Sequence, residues 1–405
     1  MRCLLLATLL FVGPASAADR WAWSERVAVS SAPQAGVFHH LEGAGRKHIA
    51  LNAGYVGVAW EDNRSADPQV YLAVKSPASP GFGPAMRVSQ GSEAYEPAIS
   101  AHGSGFVVVY EQDATVLARQ WTPSGLSAAS QLSAQDIDAA SHPSIAAAGN
   151  QLIAVWRERA ARRYRLRASV LNAQSGQVVA GAPISVESAW LDTPVLMPTL
   201  ALHRDGVCVA WEDRRAGHTR LLTAYSDWPD LEFSKPVNLN EFYSNRNAYD
   251  KGNGATRVAI AAFADDEVVA AWMDKRRGGS GYGIFAALGF DAGASFGPNE
   301  KVHSAEGDKL PHYNPAVAGN PDGDFVIAWD DYRRGNLDIW LSAYTEDGEW
   351  SIDFAPPPAA GEGEQSHPSL ALDADGTLHL LWVERADPLA PSRLWYSRGE
   401  LAEAQ

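Results

Sequence analysis

Seven short apolar runs in this chain are entered through residues of quite different chemistry: Lys47, Glu96, His142, Met197, Arg257, Asn314 and His367. Close by lie longer stretches rich in aromatic and polar side chains. These are Phe38-His39-His40-Leu41-Glu42, Ser188-Ala189-Trp190-Leu191-Asp192, Glu241 through Tyr243 and Arg246 to Asp250, and Lys309-Leu310-Pro311-His312-Tyr313. Aromatic platforms beside carboxylates suit a sugar ring, and two carboxylates at a set separation would allow glycosidic hydrolysis. Trp190, Tyr243, Tyr249 and Tyr313 offer the platforms; Glu96, Asp192 and Asp250 offer the carboxylates. His142, His312 and His367 with Glu96 could ligate a metal, but they are scattered and show no local ligand spacing. No metal and no cofactor is therefore expected. The plainer role for His142 and His367, each ahead of Pro-Ser, is to bond loop backbone; His39-His40 reads as a solvated pair. No nucleophile elbow, Gly-rich phosphate loop or HExxH is present.

The elements that must position these residues are set by a phrase, Trp-x-Asp-x-Arg, written repeatedly at the end of an apolar run. Clear copies begin at Trp60, Trp211, Trp272 and Trp329, and weaker ones at Tyr110, Trp156 and Trp382. The seven landmarks stand roughly 46 to 61 residues apart, the mark of a repeat architecture. Each unit reads as four strands. A short strand such as Pro143-Ser144-Ile145-Ala146 meets a Gly/Asn/Asp turn, and the next strand ends in the phrase. A third strand such as Val70-Tyr71-Leu72-Ala73 and an outer one such as Met86-Arg87-Val88-Ser89 follow.

Four short antiparallel strands repeated seven times predict an all-β chain, a seven-bladed β-propeller. The last unit stops after its third strand, Arg393-Leu394-Trp395-Tyr396, whereas Arg26-Val27-Ala28-Val29-Ser30 is an outer strand without a unit. Pairing the two, so that the N-terminal strand closes the last blade, removes the exposed edges. In such a ring the residues ahead of each inner strand surround one mouth of the central funnel. The candidate binding face is accordingly Arg46, Lys47, Glu96, His142, Asp192, Tyr243, Arg246, Asp250, Arg257, His312, Tyr313 and His367. The phrase itself, present in most units, is expected to be structural: Trp packs against the next unit, Asp accepts backbone N–H bonds and Arg pairs with Asp.

A net charge of −15 over 405 residues, without a basic block, disfavours nucleic acid and anionic membranes. Residues 1–17 read as a signal peptide: Arg2, an apolar core from Leu4 to Val12, and Ala15-Ser16-Ala17 at the cleavage point. Residues 18–405 then form a single propeller domain, secreted to the periplasm or the exterior. No segment is long enough to insert in a membrane. Cys208 would remain alone, which excludes a disulfide framework.

Phe290-Asp291-Ala292-Gly293-Ala294-Ser295-Phe296 resembles the Asp-box of sialidase-like propellers, with Gly289 for the first Ser. Thr345-Glu346-Asp347-Gly348-Glu349-Trp350 and Ser226-Asp227-Trp228 resemble shortened copies. The resemblance implies a turn between third and fourth strands in which Asp caps amides and the aromatic plugs the blade. It also implies a substrate carboxylate held by three arginines, for which Arg46, Arg246 and Arg257 stand nearest, beside a Tyr–Glu pair. The family's Arg-Ile-Pro-type stretch has no counterpart, because Gly45-Arg46-Lys47-His48-Ile49 stands there without proline. The sequence therefore favours a binding module for a glycan or an envelope or extracellular protein, with a sialidase-related exo-glycosidase as the alternative on the same face. Catalytic residues are not assigned.

Overall fold

The computed structural model describes residues 21–401 apart from 44, 175–176, 188, 229, 242–253, 265, 277–280, 305–309, 345–347 and 349. Seven antiparallel sheets follow one another and close into a β-propeller of four-stranded blades. Blade 1 is built on Ile49–Asn52, Tyr55–Ser65, Asp67–Lys75 and Met86–Arg87, and blade 2 on Ala94–His102, Gly105–Gln112, Thr115–Thr122 and Ser130–Gln131. Blade 3 uses Ala139–Ala148, Gln151–Ala160, Arg163–Gln174 and Ile184–Ser185; blade 4 uses Val195–Leu202, Gly206–Asp213, Arg220–Asp227 and Val237–Asn238. Blade 5 uses Ala255–Phe263, Glu267–Asp274, Gly283–Phe290 and Glu300–Lys301. Blade 6 has His312–Gly319, Phe325–Asp331 and Asp338–Ala343, with a bridge from Leu341 to Phe354 in the outer position. Blade 7 is Glu364–Leu372, Leu378–Arg385 and Arg393–Leu401. Its outer strand comes from the start of the chain, where Val27 and Ala28 pair with Tyr396 and Trp395. The expected closure holds.

Burial explains why the strands alternate as they do. The apolar side chains gather into seven clusters, one at each seam between adjacent blades. Trp60, Trp156, Trp211, Trp272, Trp329 and Trp382 are all fully buried in these seams. A buried Trp removes ~200 Å² from water, worth ~5 kcal/mol as an upper bound. The direction differs from expectation: Trp211 packs on Ile153 and Val155 of the preceding blade, and Trp329 on Val269 and Ala271. The phrase is otherwise a seam lock. Asp331 accepts the Trp329 indole N–H at 3.1 Å, the Arg333 backbone N–H at 2.9 Å and its guanidinium at 2.6 Å. Asp62 and Asp274 repeat the arrangement with Trp60 and Arg64, and with Trp272 and Arg276.

At the mouth end, each inner strand of blades 2 to 7 breaks register with its neighbour at one place. The residues at the breaks are Glu96, His142, Met197, Arg257, Asn314 and His367, and all six have φ between 49° and 59°. This bulge turns the side chain out of the sheet towards the axis. Blade 1 departs from the pattern. His40 still pairs with Glu61 and Ile49 with Val58, but the residues between them, 41–48 (44 being outside the described residues), form a loop in place of the two-residue bulge. That loop enters the axis and plugs it. Gly45 must be Gly there: its φ is 70°, and a Cβ would lie 2.5 Å from the Val258 carbonyl oxygen.

Candidate functional site

Arg46 occupies the hub. Its side chain is fully buried, donating from Nε to the Pro143 carbonyl at 3.1 Å and from Nη2 to Glu96 Oε2 at 3.1 Å. Its guanidinium also lies 3.7 Å from the Met197 sulfur. His142 approaches the same carboxylate, with Nδ1 2.7 Å from Oε2 and 3.0 Å from Oε1. Since an ionised carboxylate only accepts, Nδ1 carries the proton. Burial works against the charge on Glu96, yet Arg46 and His142 outweigh it and hold its pKa down at about 2.

Above this trio lies an open hollow of ≈ 330 Å³, walled by His40, Glu61, Tyr95, Glu111 and Arg157. Glu61, Glu111 and Arg157 are the middle residues of the phrase, one position after the aromatic, so strand alternation points them away from the aromatic and towards the following blade. Three such residues tie neighbouring blades at the mouth. Glu61 accepts the Glu96 backbone N–H at 3.2 Å, Glu212 that of Arg257 at 2.7 Å, and Asp330 that of His367 at 2.9 Å. Glu111 has the opposite fate from Glu96. Desolvation, reinforced by the Glu96 charge and only partly offset by Arg157, pushes it up to about 7. Arg157 Nε and Ser141 Oγ are buried without a hydrogen-bond partner beside the same hollow. Two carboxylates of divergent acidity thus flank one open space.

The other expected residues divide. Arg257 is taken up by an ion pair with Glu42 of the plug. His367 reaches the mouth and its ring lies 6.1 Å from that of His40. Burial lowers its pKa to about 3. Tyr313 pairs across the sheet with Asp330, with its ring 6.4 Å from Tyr282. His312 does not join the site: it is fully buried in the seam, Nδ1 3.0 Å from Asp331 and its ring 4.1 Å from that of His303. It stands two residues before the bulge, which places it on the seam face. His39 is likewise buried against Asp62 at 3.7 Å and is not solvated. Asp192 lies exposed at the rim, paired with Arg163 at 3.0 Å. Lys47, expected at the mouth, lines a cavity at the other end of the axis. Tyr243, Arg246 and Asp250 lie outside the described residues. His142, His312 and His367 therefore do not converge, and among the described residues no three His, Cys, Asp or Glu side chains gather as a metal ion requires.

The turn at Asp291–Gly293 stands between third and fourth strands of blade 5, where the sequence places it, and Phe296 packs against the seam. Its hydrogen bonds run through backbone: Ala292 N–H to Asp266 at 2.8 Å and Ala294 N–H to Asp291 at 3.0 Å.

No family model matches this chain, and no curated protein matches it. Its likeness to solved structures is one of fold. A protein of unknown function from Dyadobacter fermentans superposes with a TM-score of 0.56 at 12% identity, covering 95% of this chain and 100% of the other. The Penicillium chrysogenum α-L-arabinanase bound to arabinobiose gives 0.54 at 12%, with the same coverage. An α-L-arabinofuranosidase from Fusarium graminearum, bound to an iminosugar inhibitor, gives 0.51 at 13%, covering 94% and 99%. The chain is a seven-bladed propeller with glycoside hydrolases among its structural neighbours. No helix in the described residues is long and apolar enough to cross a membrane.

Proposed function

We propose that this protein is a carbohydrate-active propeller that hydrolyses a glycosidic bond in the hollow between blades 2 and 3. The observation that carries the proposal is the carboxylate pair at one open site, Glu111 raised to about 7 and Glu96 held at about 2. Carboxylates whose environments drive their acidities apart suit the acid and the ionised partner of glycoside hydrolysis. Protonated Glu111 donates to the leaving oxygen as the C–O bond breaks. Ionised Glu96, fixed by Arg46 and His142, faces the positive charge that develops on the sugar ring, and water completes the product. The α-L-arabinanase bound to arabinobiose and the α-L-arabinofuranosidase share the fold, which puts arabino-oligosaccharides first among the substrates to try. Export through residues 1–17 would place the activity outside the cytoplasm.

Kinship with sialidases rests on the blade 5 turn. Arg46, the arginine nearest the family's first position, is already engaged by Glu96, Pro143 and Met197, so a three-arginine clamp on a substrate carboxylate is not supported. Binding without cleavage is the second reading, favoured by the full engagement of Glu96 with Arg46 and His142. Mass spectrometry of a panel of arabino-oligosaccharides, oligogalacturonides and sialosides after incubation at pH 5–6 separates the two. Released sugar that disappears in Glu111→Gln supports hydrolysis. Retention of intact glycan refutes it in favour of a lectin-like module, and a panel that is neither cleaved nor retained turns the search to a protein partner.

A further inference from the structure

The plug closes the axis, so the far end of the channel is a separate cavity of ≈ 740 Å³. It is bounded by the inner strands of blades 2 to 6 near their hairpin turns, opposite the bulges that line the mouth. Ala147, Ala201, Ala262 and Phe263 give it an apolar belt, while Asn150 and Arg204 stand nearer its rim. Lys47 reaches into it from the plug. Its backbone carbonyl accepts the Ile99 N–H at 2.9 Å, which fixes the base of the side chain. Among the described residues no hydrogen bond or ion pair holds its ammonium, and no carboxylate lines the cavity. Burial alone lowers the Lys47 pKa.

A half-buried ammonium without a counterion is poorly compensated, because the apolar walls around it restrict its hydration. The same surroundings strengthen attraction to any anion that enters. We infer that this cavity is a second ligand site, on the face away from the hollow, which takes a small organic carboxylate with its head on Lys47 Nζ and an apolar body against the alanine belt. The shape supports the pairing. An inorganic anion would leave most of the space and all of the apolar belt unused, and a neutral apolar ligand would leave the ammonium unpaired. The site is independent of glycan hydrolysis, because the plug stands between it and the hollow.

Isothermal titration of the purified protein with benzoate, and with benzamide as its neutral counterpart, tests the inference at pH 7. Benzoate is expected to bind one to one, with benzamide at least tenfold weaker. Lys47→Met should weaken benzoate at least tenfold, and Ala262→Trp, which fills the cavity, should abolish binding while the protein still unfolds cooperatively. Benzoate that fails to bind, that binds no better than benzamide, or that binds Lys47→Met and Ala262→Trp like the parent would overturn the assignment. Glycan cleavage by Lys47→Met reports on the hollow separately and is expected to match the parent.

Discussion

Asp330 and Asp331 are neighbours on one strand of blade 6, yet one faces the seam with blade 7 and the other the seam with blade 5. Burial disfavours the charge on both. Towards blade 5, His312 and Arg333 outweigh burial and drive the Asp331 pKa well below the carboxylate range. Towards blade 7, burial prevails over the bonds from Asn314 and the His367 backbone, and Asp330 rises to about 8. Asp62 and Glu61 occupy the same two positions in blade 1. Along the second strand, one face is spent on fixed partners and repeats from blade to blade. The other varies as Glu61, Glu111, Arg157, Glu212, Met273, Asp330 and Val383. Stability lives on the first face, and chemistry is available on the second.

The contrast breaks most visibly with Asp331→Ala. Removing one partner from a buried ion pair costs about 3–5 kcal/mol, so denaturant unfolding should show a loss of that size while the hollow keeps its ligand. Lost binding at unchanged stability would reverse the assignment of the two faces. Next in size, Glu111→Gln should lower glycan release about a hundredfold, the lower end for a general acid, with the unfolding midpoint little changed. In the parent, release should fall as pH rises through about 7, because the donor must be protonated. Asp330→Asn sharpens the comparison through pH. The folded pKa of Asp330 lies above its ordinary value of 3.8, so its stabilisation is complete below that value and fades as pH rises towards about 8. Between pH 5 and 8 the parent should lose roughly 2 kcal/mol by urea unfolding, counting ~1.4 kcal/mol per unit and discounting for relaxation, and the variant should be flatter. Smallest of all, Arg163→Ala removes an exposed pair with Asp192 and should change unfolding by less than about 0.5 kcal/mol, with glycan binding intact.

Much of this was legible in the chain. Landmark spacing predicted seven blades, and a spare outer strand at the first end with one missing at the last predicted the closure. Glu96, His142, Met197, Arg257, Asn314 and His367 were found because a residue ahead of an inner strand must turn out of the sheet. Glu61, Glu111 and Arg157 were missed because they sit inside a phrase read as structural. Their signal was variation at the middle position between constant neighbours. His312 was misplaced by alternation, since two residues along a strand preserve its face but a bulge reverses it. Lys47 was misplaced because a sequence does not show that the first bulge has swollen into a loop that crosses the axis. Arg257 was read as a free ligand group, whereas its ion pair with Glu42 gives it a part in holding that loop.

That loop also sets a limit on ancestry. A propeller can in principle gain or lose a blade by duplication or deletion of a unit, since each seam resembles the next. Here Arg46 spans to blades 2, 3 and 4 at once, while Glu42 reaches blade 5 and the His48 backbone N–H is 3.0 Å from Ser369 of blade 7. An eighth blade would widen the axis and pull these contacts apart together; a sixth-only ring would leave the loop no room. The axle has been cut to the wheel, and change in blade number is closed to this lineage unless the axle changes first.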